Sequence, residues 1–264
     1  MGKIHDALQR AEEERVRLGA TANEPIAERR SEPAAGADST ESVLSGRRAR
    51  VITAGGSAVG EEYRTLRARL QSLRRNRELR SFVLTSAVPG EGKTTTAVNL
   101  ALSFGLDLGT TTCLVDADLR TPGVHRAFPQ LPAAGLAEVL EIDAKLEDAL
   151  LQVPDTRLWV LPVKGLPGQP SELLASQKMV RVLEELAARF DTIIIDAPPL
   201  LGLPDAFTLT DICDATLLVV GAGEAARADV ETALERLDRK KVVGAVFNRC
   251  EATALADEYY TRRG

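Results

Sequence analysis

Three short motifs hold most of the residues in this chain that could do chemistry. The first is Ala87-Val88-Pro89-Gly90-Glu91-Gly92-Lys93-Thr94. It fits the pattern of a phosphate-binding loop except at its first position, where Ala87 stands in place of glycine. Gly90 and Gly92 let the backbone curl until successive N–H groups point at one anion. Lys93 brings a point charge for the β- and γ-phosphates of a nucleotide, and the Thr94 hydroxyl can ligate Mg²⁺. A helix opening at Lys93 adds the positive end of its dipole. The expected phosphate contacts run from Pro89, Gly90, Glu91 and Gly92 through Lys93, Thr94 and Thr95.

The second motif is Leu114-Val115-Asp116-Ala117-Asp118-Leu119-Arg120. Two carboxylates leave the end of an apolar strand, the side on which α/β sheets bind ligands. One can hold Mg²⁺ through water while the other accepts a proton from an attacking hydroxyl. Arg120 is expected to pair with either carboxylate or to reach the phosphates. The third motif is Thr192-Ile193-Ile194-Ile195-Asp196-Ala197-Pro198-Pro199. It is an apolar strand ending in a carboxylate that would orient Mg²⁺ or its water. Pro198 and Pro199 lack an N–H and stop the strand.

These motifs meet only if the elements around them form one sheet. From residue 80 onward the pattern alternates. Strands are expected at 81–86, 112–116, 157–163, 192–196, 215–220 and 241–247. Helices are expected at 93–108, 136–141, 145–153, 171–190 and 225–239. The strands are β-branched and apolar without alternation, as in a parallel sheet covered on both faces. The reading is a doubly wound, mostly parallel α/β domain with right-handed crossovers. An earlier helix at 60–77 puts Tyr63, Leu66, Leu70 and Leu73 on one face, with arginines over much of the rest. Residues 3–18 read as a short amphipathic helix and residues 19–58 as a flexible linker poor in aromatics. The division expected is 1–58 helix and linker, 59–250 domain, and 251–264 tail.

Composition excludes several classes. Among 264 residues there are two histidines, His5 and His125, so a His-rich metal centre and a serine-histidine triad are disfavoured. Cys113, Cys213 and Cys250 lack CxxC spacing and read as reduced, buried small hydrophobes. The net charge of −5 is split unevenly: residues 1–80 carry 16 basic and 12 acidic side chains, and the rest is acidic. That argues against a nucleic-acid binder. No apolar run approaches a bilayer span of roughly 18 residues, so a cytoplasmic chain is expected, with any membrane contact peripheral.

The trio PGEGKTT, VDADLR and IIIDAPP resembles the bacterial tyrosine kinases of capsule and exopolysaccharide assembly, P-loop proteins related to the MinD/ParA ATPases. The resemblance extends over roughly residues 60–248. It implies an ATP- and Mg²⁺-dependent autokinase. Lys93 and Thr94 would hold phosphates and Mg²⁺, and Asp116 and Asp118 would supply the base and a metal contact, with Asp116 the favoured base. Asp196 would complete the metal site, with Asn248 at the adenine edge. Glu61, Arg64 and Arg67 match the family's E-x-x-R-x-x-R motif, which joins subunits into a ring. Tyr259 and Tyr260 stand where the family carries its phosphoacceptor tail, while Tyr63 is expected to pack. Implied partners are a separate membrane polysaccharide co-polymerase that activates the kinase, and a cognate tyrosine phosphatase. The alternatives are a MinD/ParA-like positioning ATPase and a nucleotide-gated adaptor. The first carries a lysine where this chain has Val88.

Overall fold

The computed structural model describes residues 58–128 and 130–250. The expected 3–18 helix, the linker and the Tyr259/Tyr260 tail lie outside these residues. The described part opens with α1 (Ala58–Arg77), whose first turn carries Glu61 and last turn Arg74, Arg75 and Arg77. That charge order complements the helix dipole. Tyr63, Leu66, Leu70 and Leu73 face the core, and Leu70 is buried. Then follow β1 (Ser81–Ser86), α2 (Lys93–Gly105), β2 (Thr112–Asp116), a 3-10 turn (Val124–Arg126), α3 (Leu136–Ile142), α4 (Leu146–Ala149), β3 (Leu151–Gln152) and β4 (Leu158–Leu161). The chain continues through α5 (Pro170–Leu174), α6 (Gln177–Arg189), β5 (Thr192–Asp196), α7 (Asp205–Ile212), β6 (Ala215–Gly221), α8 (Arg227–Arg236) and β7 (Val242–Asn248).

The sheet has seven strands in the order β3-β4-β2-β5-β1-β6-β7. All pairs are parallel except β3 with β4. Every residue of β1, β2, β5 and β6 is buried, as unalternated apolar strands require. The edge strand β7 is only half-buried along its length. One face of the sheet packs on α3 and α6, with Val115, Ile193 and Ile195 meeting Met179 and Leu186. The other packs on α1 and α2, with Phe82, Leu84 and Ile194 meeting Leu100 and Phe104. Full burial of one such side chain contributes about 1.5–3 kcal/mol.

Three expectations about elements are corrected, and one helix is added. The helix expected over 145–153 is one turn, α4, followed by the antiparallel strand β3: the Val153 N–H donates to Leu158 O at 2.9 Å, turning the chain back along β4. The helix expected over 171–190 is two. Ser176 interrupts it, and its hydroxyl accepts the Met179 N–H as the cap of α6. The helix expected to run to residue 108 stops at Gly105, where a Cβ would lie 2.6 Å from Leu158 Cβ. Helix α7 was not anticipated, although Pro204 followed by Asp205 in the first turn is a start signal.

Candidate active site

Strand β1 delivers the phosphate loop to the carboxyl edge of the sheet. Gly90 and Gly92 take φ values of 91° and 88°, a left-handed region that glycine enters without strain. Gly92 has a second reason: a Cβ there would lie 2.0 Å from Asn248 Nδ2. It is also the N-cap of α2, with no side chain capping the helix. The first-turn N–H groups therefore remain available to an anion. Pro89 and Gly90 are exposed, and Gly92, Lys93, Thr94 and Thr95 are half-buried. The Glu91 side chain turns inward instead. It is fully buried and accepts the Val88 and Gly221 N–H groups, so only its backbone can face a phosphate. Burial raises its pKa against those hydrogen bonds. Asn248, at the end of β7, donates Nδ2 to Glu91 O at 2.9 Å.

The carboxylates come together because β2 and β5 are neighbours in register, pairing Asp116 with Asp196. The Asp116 Oδ2 accepts the Gly123 and Val124 N–H groups at 3.1 and 3.0 Å, so the loop after β2 folds over it. Asp118 Oδ2 accepts Lys93 Nζ at 2.8 Å, and Asp118 Oδ1 accepts the Thr121 N–H at 2.9 Å. Only 13% of the Lys93 side chain and 1% of Asp118 is exposed. Both oxygens of Asp196 are buried, and neither receives a hydrogen bond of good geometry.

These environments separate the groups electrostatically. Burial pushes the Asp116 carboxyl well up, and the Asp196 charge adds to it. Burial likewise raises Asp196, only partly opposed by the Lys93 charge and the Thr94 hydroxyl. Burial alone would raise Asp118, but the Lys93 charge and hydrogen bond outweigh it and hold Asp118 below the usual carboxylate range. Burial alone would lower Lys93, and the surrounding Asp196 and Asp118 charges reverse that and hold it up. One carboxylate is thus committed to its lysine while two others are poised to take up a proton or a cation.

A fully buried carboxylate without a well-formed hydrogen bond, such as Asp196, fits a cation ligand. Among the described residues no group of three or more His, Cys, Asp or Glu forms a closed metal cage. Mg²⁺ takes one or two carboxylates and fills its octahedron with water and phosphate oxygens.

Arg120 differs from expectation. Its Nε donates to Asp205 Oδ2 at 2.7 Å and its Nη2 to Ser171 Oγ at 2.9 Å, while the Ser171 hydroxyl donates to Asp205 Oδ1 at 2.5 Å. It hydrogen-bonds neither Asp116 nor Asp118, because α7 brings the buried Asp205 to it. The network ties the loop bearing Asp118 to the starts of α5 and α7.

Away from this rim, Glu61 and Arg64 form an exposed ion pair on α1 at 2.6 Å. Arg67 reaches across to Ser103 O at the end of α2. The Tyr63 phenol is half-buried against α2, its pKa raised by burial despite hydrogen bonds with Thr96 and Asn99. Cys113 and Cys213 are buried, and burial pushes the Cys213 thiol up to about 12. Cys250 is exposed, contrary to expectation, because it lies two residues past the end of the edge strand. No described helix is long and apolar enough to cross a membrane.

The AAA domain family model matches residues 84–242. The tyrosine-protein kinase YwqD of Bacillus subtilis is 38% identical over 190 residues, spanning 71% of this chain and 80% of that protein. The succinoglycan biosynthesis transport protein ExoP of Rhizobium meliloti is 30% identical over 210 residues, spanning 78% of this chain but 27% of that protein. The solved BceF tyrosine kinase domain superposes with a TM-score of 0.65 at 34% identity, covering 71% of this chain and 76% of that one. A P-loop beside paired carboxylates, together with the likeness to these kinases, leads to one conclusion: the chain belongs to the bacterial tyrosine-protein kinase family.

Proposed function

We infer that the protein is a Mg²⁺-ATP-dependent autokinase that phosphorylates Tyr259 and Tyr260 of its own tail, within an apparatus for exopolysaccharide or capsule polymerisation and export. The observation that carries the reading is the buried Lys93–Asp118 pair set beside Asp116 and Asp196, which stand level at the ends of neighbouring strands. Lys93 exchanges Asp118 for β- and γ-phosphate oxygens when ATP binds, joined by the N–H groups at the start of α2. Thr94, Asp118 and Asp196 would hold Mg²⁺, which would supply charge neutralisation at the phosphates. Asp116, whose raised pKa suits a base near neutral pH, takes the tyrosine proton. The tyrosine oxygen then bonds to the γ-phosphorus, the bond to the β-phosphate oxygen breaks, and ADP leaves. Arg120 holds the loop that carries Asp118. Asn248 reads the adenine edge. Catalysis is positioning and charge stabilisation.

The export setting is supported by a relative named for succinoglycan biosynthesis transport. A membrane co-polymerase would act as activator and hold the kinase at the inner face of the membrane, and a tyrosine phosphatase would reverse the modification. The Glu61, Arg64 and Arg67 face would join subunits into a ring. A groove of about 310 Å³ there is lined by Tyr63, Arg64, Arg67 and Ser103, among others. Negative charge added to the tails would disfavour their docking at neighbouring acidic sites and loosen that ring.

Purified protein given labelled ATP and Mg²⁺ tests the reading. Label should enter the protein and disappear in Lys93→Met and in the Tyr259→Phe/Tyr260→Phe double variant. Free phosphate release without protein labelling would favour a positioning ATPase, and intact ATP would favour an adaptor.

A further inference from the structure

Glu91 lies inside the phosphate loop, yet its side chain is directed into the protein. The residue is fully buried. One carboxylate oxygen accepts the Val88 N–H at 2.9 Å, closing the loop on itself. The other accepts the Gly221 N–H at 3.1 Å, at the end of β6. Its main-chain carbonyl accepts Asn248 Nδ2 at 2.9 Å, at the end of β7. Asn248 O in turn accepts the Ala222 N–H at 2.9 Å. Gly221 records how closely these segments approach: a Cβ there would lie 3.0 Å from Glu91 Cα and 3.3 Å from Glu91 Cβ.

A carboxyl-bearing side chain inside a loop that grips a triphosphate opposes that grip electrostatically whenever it is charged. Its bond to the end of β6, next to the main-chain bond that Asn248 of β7 makes to the same residue, gives it a different task. Lys93 and the first turn of α2 can hold a polyphosphate without them. The turn after β6 meets the loop at the Glu91 carboxylate and Gly221, and Asn248 meets it at the Glu91 main-chain carbonyl. We propose that Glu91 is a positioning residue that joins base recognition and phosphate binding into one unit, so that the site prefers an adenine nucleotide over a bare polyphosphate. This rests on the ATP reading above and goes beyond it by naming what links the two halves of the nucleotide.

The test is calorimetric titration of the full chain with Mg²⁺-ATP and with Mg²⁺-tripolyphosphate. In Glu91→Ala, ATP affinity falls about tenfold or more, as expected for two lost buried acceptors. Tripolyphosphate affinity falls less than about threefold, because Lys93 and the α2 start remain. Glu91→Gln, which keeps one acceptor oxygen, restores part of the loss. Gly221→Ala leaves Glu91 in place but displaces it, and gives the same selective loss even if Glu91→Ala does not fold. In a cycle of Glu91→Gln with Asn248→Ala, the ATP losses combine to less than their product. An equal loss for both ligands across the variants, or an unchanged ratio, overturns the inference alone. Failure of the unmodified protein to bind Mg²⁺-ATP overturns the ATP reading and the inference with it.

Discussion

Two ion pairs, Lys93–Asp118 at the rim of the sheet and Glu61–Arg64 on the outer face of α1, have nearly the same length, 2.8 and 2.6 Å. They differ in solvent. The first is almost buried and sits among further carboxyls. The second exposes 69% of Glu61 and 39% of Arg64. Water screens the outer pair, so it adds little to the stability of one chain. Low local dielectric leaves the inner pair strong and its neighbours' protonation displaced. Geometry of contact is therefore a poor guide to energetic weight here, and burial is the better one. The rim holds its charges out of water, and the outer face keeps its charges in solvent.

The largest expected effect tests the inner pair. Lys93→Met should reduce phosphoryl transfer by about 10³-fold or more, since it removes the cation that meets the phosphates. Removing one partner of a buried pair should also cost about 3–5 kcal/mol of folding stability. Denaturant unfolding measures this, and an unchanged midpoint would erase the contrast with α1.

Next comes pH. Asp116 and Asp196 have folded pKa values raised above the unfolded carboxylate value of about 4. Their stabilising contribution is fully present below that value and is lost as pH rises through the raised folded values. Without Mg²⁺, this pair makes the protein less stable at pH 8 than at pH 5. Asp196→Asn should flatten that decline in a series of thermal melts while suppressing activity. Parallel melting curves for the two proteins would contradict the assignment.

A smaller effect is expected at the Arg120 network. Asp205→Asn removes the carboxylate that holds Arg120 and Ser171. Tm should fall by a few degrees, and kcat should fall several-fold with little change in KM for ATP, because the loop carrying Asp118 is loosened while the phosphate loop is intact. A change in KM alone would place Arg120 on the nucleotide instead.

The smallest effect on the single chain is on α1. Glu61→Ala should leave Tm within error, whereas sedimentation should report weaker self-association, and added salt should weaken the assembly of the unmodified protein. A large loss of Tm would mean that this exposed pair carries the fold, and the comparison would fail.

Much of this was legible before any coordinates. Strands β2 and β5 run over the residues read from sequence, 112–116 and 192–196, because unbroken β-branched runs closed by a carboxylate have few other solutions in an α/β chain. The phosphate loop was legible because its glycines, lysine and threonine act within eight consecutive residues. Arg120 was visible as a charge near the site, but its partner was not. Asp205 lies 85 positions away, and a helix not read from the sequence delivers it. Ser176 was overlooked as a cap because the apolar period continues across it.

The sequence by itself determined which residues could grip a phosphate, which strands end in carboxylates, and which family the motifs resemble. These are local patterns, written in spacings of a few residues. Only the tertiary structure decided that Asp116 stands level with Asp196, that Lys93 pairs with Asp118, that Arg120 belongs to Asp205, and that the Glu91 side chain faces inward to Gly221, 130 positions away. The reason is physical. Burial and charge coupling are set by which strands become neighbours and which loops fold over their ends, and those choices satisfy the whole core at once rather than any one motif.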